Sequence, residues 1–266
     1  MKNTQIISVI NQKGGVGKTT TVINLSTALA FQNKKVLIID LDPQGNATTG
    51  FGIFNTENKR TVYDVLNGNC DFEESIQDTK INNLKIITSN IDLSGLEVET
   101  ANENRRAFLL KDKMEKFINN KENSFSYIFI DCPPSLSLLT IMSLVVAKSL
   151  IVPLQAEFFA LEGLSQLIKT IDRIKDKLNP ELNIRGVLLT MFDKRNKLSA
   201  QVDSEARKYF ENKVYQTVIP RNVRLSEAPS HGTPVLIYDA SCTGSKSYLS
   251  FTEEFLKQEN IMESAA

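Results

Sequence analysis

Ile6-Ile7-Ser8-Val9-Ile10 runs without a break into Asn11-Gln12-Lys13-Gly14-Gly15-Val16-Gly17-Lys18-Thr19-Thr20, and an apolar-periodic stretch through Val22, Leu25, Ala28 and Leu29 follows. A β-branched run, a glycine-rich loop and a helix, in that order, are what a phosphate cradle needs. Gly14, Gly15 and Gly17 can adopt positive φ, so that backbone N–H groups of the loop from Lys13 through Val16 to Thr20 close on a β-phosphate. The helix amino terminus adds a favourable dipole. Lys18 supplies a point charge, and Thr19 a hydroxyl able to coordinate a Mg²⁺ ion that bridges β- and γ-phosphates.

The same alternation continues along the chain. Val36–Ile39, Leu84–Ile87, Tyr127–Ile130, Leu150–Val152 and Val187–Leu189 read as short strands buried on both faces, the mark of a largely parallel sheet. Leu164, Leu167, Ile168, Ile171, Ile174 and Leu178 follow a helical period that Asn179-Pro180 ends. The expected fold is α/β, a doubly wound, mostly parallel sheet with helices on both faces, forming one P-loop NTPase domain over residues 1–266. Lys+Arg and Asp+Glu both total 31, so no global field draws the chain to a polyanion, and any such binding must come from a local patch. Only Cys70, Cys132 and Cys242 are present, widely spaced, which argues for a reducing cytoplasm and against a disulfide framework. The apolar runs fall short of a membrane span.

The loop departs from the general phosphate-loop pattern in one respect. Position 12, where a first glycine would stand, is Gln12, and Lys13 follows it. This KGGVGKTT resembles the deviant Walker A loop of the ParA, MinD and nitrogenase iron-protein superfamily. The resemblance implies that Lys13 reaches across a nucleotide sandwich to the phosphates of a second subunit. A second lysine five residues before Lys18 crowds like charges unless a polyphosphate neutralises both.

Two further segments carry carboxylates. In Asp40-Leu41-Asp42-Pro43-Gln44 the period of two puts Asp40 and Asp42 on one face, both directed into the phosphate crevice. The resembling family has DxDPQ here and uses the second aspartate to position the attacking water, which implies that role for Asp42 and leaves Asp40 to support Mg-bound water. Tyr127-Ile128-Phe129-Ile130-Asp131 has the form of a Walker B strand, with Asp131 at the Mg²⁺ shell. Cys132 is read as a small buried residue, since an interfacial iron–sulfur cluster needs two cysteines from each subunit.

Pro133-Pro134-Ser135, the stretch 152–163 containing Phe158-Phe159, Leu188–Asp193 and Ile219–Gly232 extend the resemblance over nearly the whole chain, toward the chromosomal Soj/ParA branch. That branch implies that Pro220, Arg221 and Asn222 lie against the adenine, whereas His231 reads as a bland loop residue. Ser137, Met142 and Lys148 depart from the family pattern and put local interface contacts in question. The implied activity is hydrolysis of ATP to ADP and phosphate with Mg²⁺, catalysed through Asp42, Lys13 and Lys18. The implied partners are a second copy of the chain in the ATP state, non-specific double-stranded DNA and a ParB-type protein. Arg195, Arg221, Arg224 and Lys246 are the candidate DNA-binding strip, and the expected place is the nucleoid within the cytoplasm. The alternative, a MinD-like membrane-positioning ATPase, would need a basic amphipathic carboxyl-terminal helix, and Phe251–Ile261 is acidic instead.

Overall fold

Apolar runs with both neighbours and both faces covered are stable only as interior strands, and the chain uses them so. The computed structural model describes residues 4–54, 59–120, 124–157 and 160–265. Among these, seven strands form one sheet in the order β3-β4-β2-β5-β1-β6-β7. They are β1 Gln5–Val9, β2 Val36–Asp40, β3 Ile76–Asp78, β4 Leu84–Ile87, β5 Tyr127–Asp131, β6 Ser149–Gln155 and β7 Asn183–Thr190. All pairs are parallel except β3 with β4. β3 has no counterpart in the sequence reading, because its three residues are half-buried or exposed and show no apolar run.

The helices are α1 Lys18–Phe31, α2 Asn46–Gly50, α3 Val62–Asn67, α4 Leu96–Glu99, α5 Leu109–Asn119, α6 Leu138–Val146, α7 Ala160–Lys177, α8 Lys197–Phe210, α9 Val223–Glu227, α10 Val235–Tyr238 and α11 Thr243–Ala265. They divide between the two faces as the pleat requires. Leu37, Ile39, Ile128 and Ile130 point into one core with α3, α5, α6 and the apolar stripe of α7. Val36, Ile38 and Phe129 point into the other with Val22, Leu25 and Leu29 of α1 and Tyr248, Phe251 and Phe255 of α11. The expected doubly wound architecture is therefore present.

Register decides where the chemistry sits. Val9 of β1 pairs with Asp131 of β5, and Asp131 in turn pairs with Asp40 of β2, so three central strands end at one level. The loops leaving those ends converge on one crevice, the position where open α/β sheets take ligands. Asn11 secures the first of them by donating through Nδ2 to the Pro153 carbonyl of β6 at 2.7 Å. Of the residues that depart from the family pattern, Met142 is fully buried in the core and Lys148 donates to the Thr4 carbonyl. Ser137 precedes α6 in an extended conformation. Phe158 and Phe159 lie outside the described residues.

Candidate functional site

Beyond the carboxyl ends of β1 and β7 lies a cavity of about 660 Å³. Gly14, Gly15, Gly17, Lys18, Thr19 and Thr20 line one end with Asp42 and Pro134. Pro220, Arg221, Asn222, Leu225, Pro229 and Ser230 line the other. The two ends come from segments some two hundred residues apart, yet both project from one edge of the sheet.

At the first end the loop turns on two glycines. Gly15 has φ 74° and Gly17 φ 91°, left-handed values at which a side chain would be strained. Gly14, expected to share that conformation, does not; a Cβ there would meet the Pro134 side chain at ordinary van der Waals distance. Val16 is buried and faces away from the cavity, its carbonyl accepting from Thr190 Oγ1 at 2.8 Å, which pins the loop to β7. Gly17 caps α1, so Lys18, Thr19 and Thr20 form its first turn, where unpaired N–H groups favour an anion.

Lys18 is nearly buried and donates from Nζ to the Lys13 carbonyl at 3.0 Å. Burial lowers its pKa, and attraction to Asp131 is the largest effect opposing that. Lys13 is turned out of the cavity, its ammonium paired with Glu157 of the same chain. Nothing in its own cavity therefore holds that ammonium, and the side chain is about half exposed.

The three carboxylates have different surroundings. Asp42 lines the cavity, with Oδ1 accepting from the Gln44 amide at 3.0 Å. Asp40 does not line it, contrary to the expectation that both point into the crevice. β2 ends at Asp40, so the period of two no longer governs position 42. Asp40 Oδ2 instead accepts from Thr48 N at 2.8 Å and Thr48 Oγ1 at 2.7 Å, and Oδ1 from Asp42 N at 3.3 Å. Burial nevertheless pushes its carboxyl up to about 6. Asp131 is fully buried, and neither of its oxygens accepts a well-formed hydrogen bond among the described residues, although the Thr19 hydroxyl lies near enough to favour its charge. Burial, then the neighbouring charge of Asp40, holds its carboxyl well above the usual range, while the Thr19 hydroxyl and the Lys18 ammonium favour its charge.

An orphaned buried carboxylate beside a loop threonine is a donor set that fits a hydrated Mg²⁺ ion. Such an ion keeps several waters and needs few protein ligands, so no cage of carboxylates is required. No cluster of three metal-ligating side chains is found among the described residues, in keeping with that mode. Cys132 cannot serve as a thiolate here: burial pushes its thiol up to about 12, and Sγ lies 3.1 Å from Ser143 Oγ.

At the second end, Asn222 lines the cavity but its amide is committed, Oδ1 accepting from Arg224 N and Nδ2 donating to Thr243 Oγ1. What this segment offers the cavity besides Arg221 is backbone and apolar surface. Ile23, Leu225 and Tyr248 supply that surface. Tyr248 was not anticipated; it sits on α11 and its hydroxyl shares a hydrogen bond of 3.1 Å with Thr21 of α1. Its only sequence signal is a place in an apolar helix pattern. His231 is exposed and stacks on Tyr238 at 4.9 Å, outside the cavity lining.

Of the four cations expected to form a strip, Arg221 alone borders the cavity. Arg195 makes a bidentate pair with Asp193, and Arg224 is paired with Glu227 and Asp239. Lys246 is exposed near the start of α11. Asp193 is held down to about 2, first by its hydrogen bonds from Arg195 and also by the charge of Arg221, so these groups share one surface region. Three carboxylates thus offset much of the strip's charge. Such exposed pairs are weak and exchangeable.

A family model described as an AAA domain matches residues 4–184. The chain is 49% identical over 262 residues to the chromosome partitioning protein ParA of Caulobacter vibrioides, covering 98% of this chain and 97% of that protein. It is also 49% identical over 250 residues to the sporulation initiation inhibitor protein Soj of Bacillus subtilis, covering 94% and 97%. Among solved structures, a cobyrinic acid a,c-diamide synthase from Mycobacterium smegmatis, with a bound ATP analogue and magnesium, superposes with a TM-score of 0.83. It is 33% identical, over 96% of this chain and 94% of that one.

The orphaned carboxylate has a thermodynamic signature. In the native chain Asp131 keeps its proton to higher pH than in the unfolded chain, whose carboxyl titrates near the ordinary value of 3.8. The native state therefore binds more protons over that window, and stability falls as pH rises through it. Asp131→Asn removes this loss. Thermal unfolding without nucleotide or Mg²⁺ should show the variant melting above wild type at about pH 8, with the gap narrowing as pH falls and closing near about pH 4. A variant that melts below wild type at both would contradict the reading.

Proposed function

Because the chain belongs to the ParA/Soj family of chromosome-partitioning proteins, we propose that it is a Mg-ATP-dependent ATPase whose ATP state is a DNA-bound homodimer. The observation that carries this reading is the single cavity joining the phosphate loop and Asp42 to the Pro220–Ser230 wall. Its shape suits a nucleoside triphosphate, with polyanion at one end and base at the other. The ParA and Soj relatives match nearly the whole chain at higher identity than the synthase does, which supports the partitioning reading over a synthase one.

The backbone N–H groups from Gly14 to Thr20 bind the β-phosphate, and Lys18 faces the β- and γ-phosphates. Thr19 and Asp131 would hold Mg²⁺, which when bound would neutralise phosphate charge. Asp40, through Thr48 and the Asp42 amide, fixes the turn that carries Asp42. Asp42 orients the water that attacks the γ-phosphorus, and ADP and phosphate leave. Lys13 exchanges Glu157 for the phosphates of a second copy, which makes closure of the homodimer depend on ATP. Pro220, Arg221 and Asn222 provide the base-side wall.

The dimer binds double-stranded DNA without sequence preference through Arg195, Arg221, Arg224 and Lys246. A ParB-type partner stimulates hydrolysis and so releases DNA. Zero formal net charge and the local carboxylates leave a monomer too few free cations for firm binding, whereas a dimer doubles the phosphate contacts. A membrane-positioning role is disfavoured: the apolar face of α11 is spent in the core through Tyr248, Phe251 and Phe255. No helix among the described residues is long and apolar enough to cross a membrane.

Asp42→Ala should bind ATP with Mg²⁺ about as tightly as wild type while single-turnover phosphate release slows by about a hundredfold or more, since a water-orienting group acts on the transition state. Release at the wild-type rate would refute the role.

DNA affinity, titrated with salt in the presence of ADP and of a non-hydrolysable ATP analogue, tests the rest. With the analogue it should be tighter, and its logarithm should fall with log salt by about 0.9 for each phosphate contacted. Arg195→Glu should abolish the difference and keep the dimer. Equal affinity and slope in the two nucleotide states would mean that ATP does not gate DNA binding.

A further inference from the structure

The two walls of the cavity meet at one point away from the phosphate loop. Gly52, in the turn after α2, has φ 76°, and Gly232, which closes the turn Ala228–His231, has φ 60°. A Cβ on Gly232 would stand 2.5 Å from Gly52 Cα and 2.9 Å from Gly52 N. A Cβ on Gly52 would stand 3.1 Å from the Gly232 carbonyl oxygen. The closest contacts are backbone against backbone, so only glycine fits at 232, while a Cβ at 52 would crowd the carbonyl oxygen in a conformation that side chains rarely adopt.

Each glycine is tied by short hydrogen bonds to a different part of the site. Gly232 N donates to the Pro229 carbonyl at 2.9 Å, and Pro229 and Ser230 line the base end. Gly52 N donates to the Thr49 carbonyl at 2.8 Å, and Asn46 and Thr49 of α2 line the cavity opposite them. From α2 the path runs to the hydrolytic end: Thr48 donates to Asp40 through N and Oγ1, Asp40 accepts from Asp42 N, and Gly45 N donates to the Asp42 carbonyl at 2.9 Å.

We propose that the Gly52–Gly232 crossing is a positioning contact that couples the base-side wall to Asp42, so that a seated nucleobase fixes the turn that orients the attacking water. The inference rests on the Mg-ATP reading and assigns to that site a residue pair outside its nucleotide contacts. Neither glycine touches phosphate, so widening the crossing displaces Asp42 from the water while the phosphate loop still holds ATP. The rate of hydrolysis is then lost with little loss of affinity.

Three alanine variants separate this from simple backbone strain. Gly68 has φ 78°, the same left-handed penalty, but a Cβ there would meet only the tip of the Lys113 side chain at 3.4 Å. Single-turnover hydrolysis of ATP and equilibrium ATP affinity, both with Mg²⁺ and with the dimer followed by light scattering, are compared for Gly232→Ala, Gly52→Ala and Gly68→Ala. Gly232→Ala should slow hydrolysis by about tenfold or more with affinity within about threefold of wild type and the dimer retained, a loss confined to the catalytic step. Gly52→Ala should do the same to a smaller degree, and it carries the test if Gly232→Ala does not fold. Gly68→Ala should melt lower and hydrolyse at the wild-type rate. Wild-type hydrolysis by Gly232→Ala and Gly52→Ala, or a loss explained wholly by weaker ATP binding, would overturn the coupling. Absence of hydrolysis in wild type itself would instead remove the ATPase reading on which it stands.

Discussion

Asp131 is a buried carboxylate at the carboxyl end of the central strand β5, with no well-formed hydrogen bond on either oxygen among the described residues and a second buried carboxylate, Asp40, on the adjoining strand. Two such groups side by side in a dry interior cannot both ionise cheaply. One ammonium, that of Lys18, opposes them, and its own charge is disfavoured by burial. A buried carboxylate pair so placed favours a cation beside it, and on the proposed reading a hydrated Mg²⁺ arriving with ATP would supply that charge. Asp40 finds Thr48 as a partner, whereas Asp131 has no comparable one, which is why the proposed reading gives the metal to Asp131.

Much of the surrounding architecture can be traced to holding that arrangement. The in-register ends of β1, β5 and β2 bring the phosphate loop and both aspartates to one level. Thr190 fastens the loop to β7 through the Val16 carbonyl, and Tyr248 fastens the first helix to α11 through Thr21. These hydrogen bonds join segments distant in sequence and hold the phosphate loop and the first helix against β7 and α11. Preorganisation of this kind lets oriented N–H groups and charges act on a phosphoryl group without first rearranging. Lys13 is the exception, half exposed and paired with an exchangeable surface carboxylate, as a group that must change partners would be.

The parts of the molecule legible in sequence are those governed by local physics. β-branched runs buried on both faces announced six of the seven strands, and GGVGKTT announced the loop before any neighbour was known. β3 escaped because an edge strand of three half-exposed residues carries no burial signal. The Asp40–Asp42 alternation misled because the strand stops at Asp40, and periodicity says nothing about a turn. Arg195 and Arg224 read as free cations, yet their ion pairs with Asp193, Glu227 and Asp239 depend on loop conformation that spacing does not encode. Tyr248 and the Gly52–Gly232 crossing belong to tertiary structure alone.

The claim that a buried, unpartnered Asp131 makes this a site for a metal-bound triphosphate is tested most directly by calorimetry of ATP binding with Mg²⁺ and with a chelator, in wild type and in Asp131→Asn. In wild type, Mg²⁺ should tighten binding by about tenfold or more, the scale of one well-placed charge interaction. In Asp131→Asn that enhancement should largely vanish. An enhancement of equal size in the two proteins would contradict the account, because the metal would then owe nothing to the carboxylate around which the site is built.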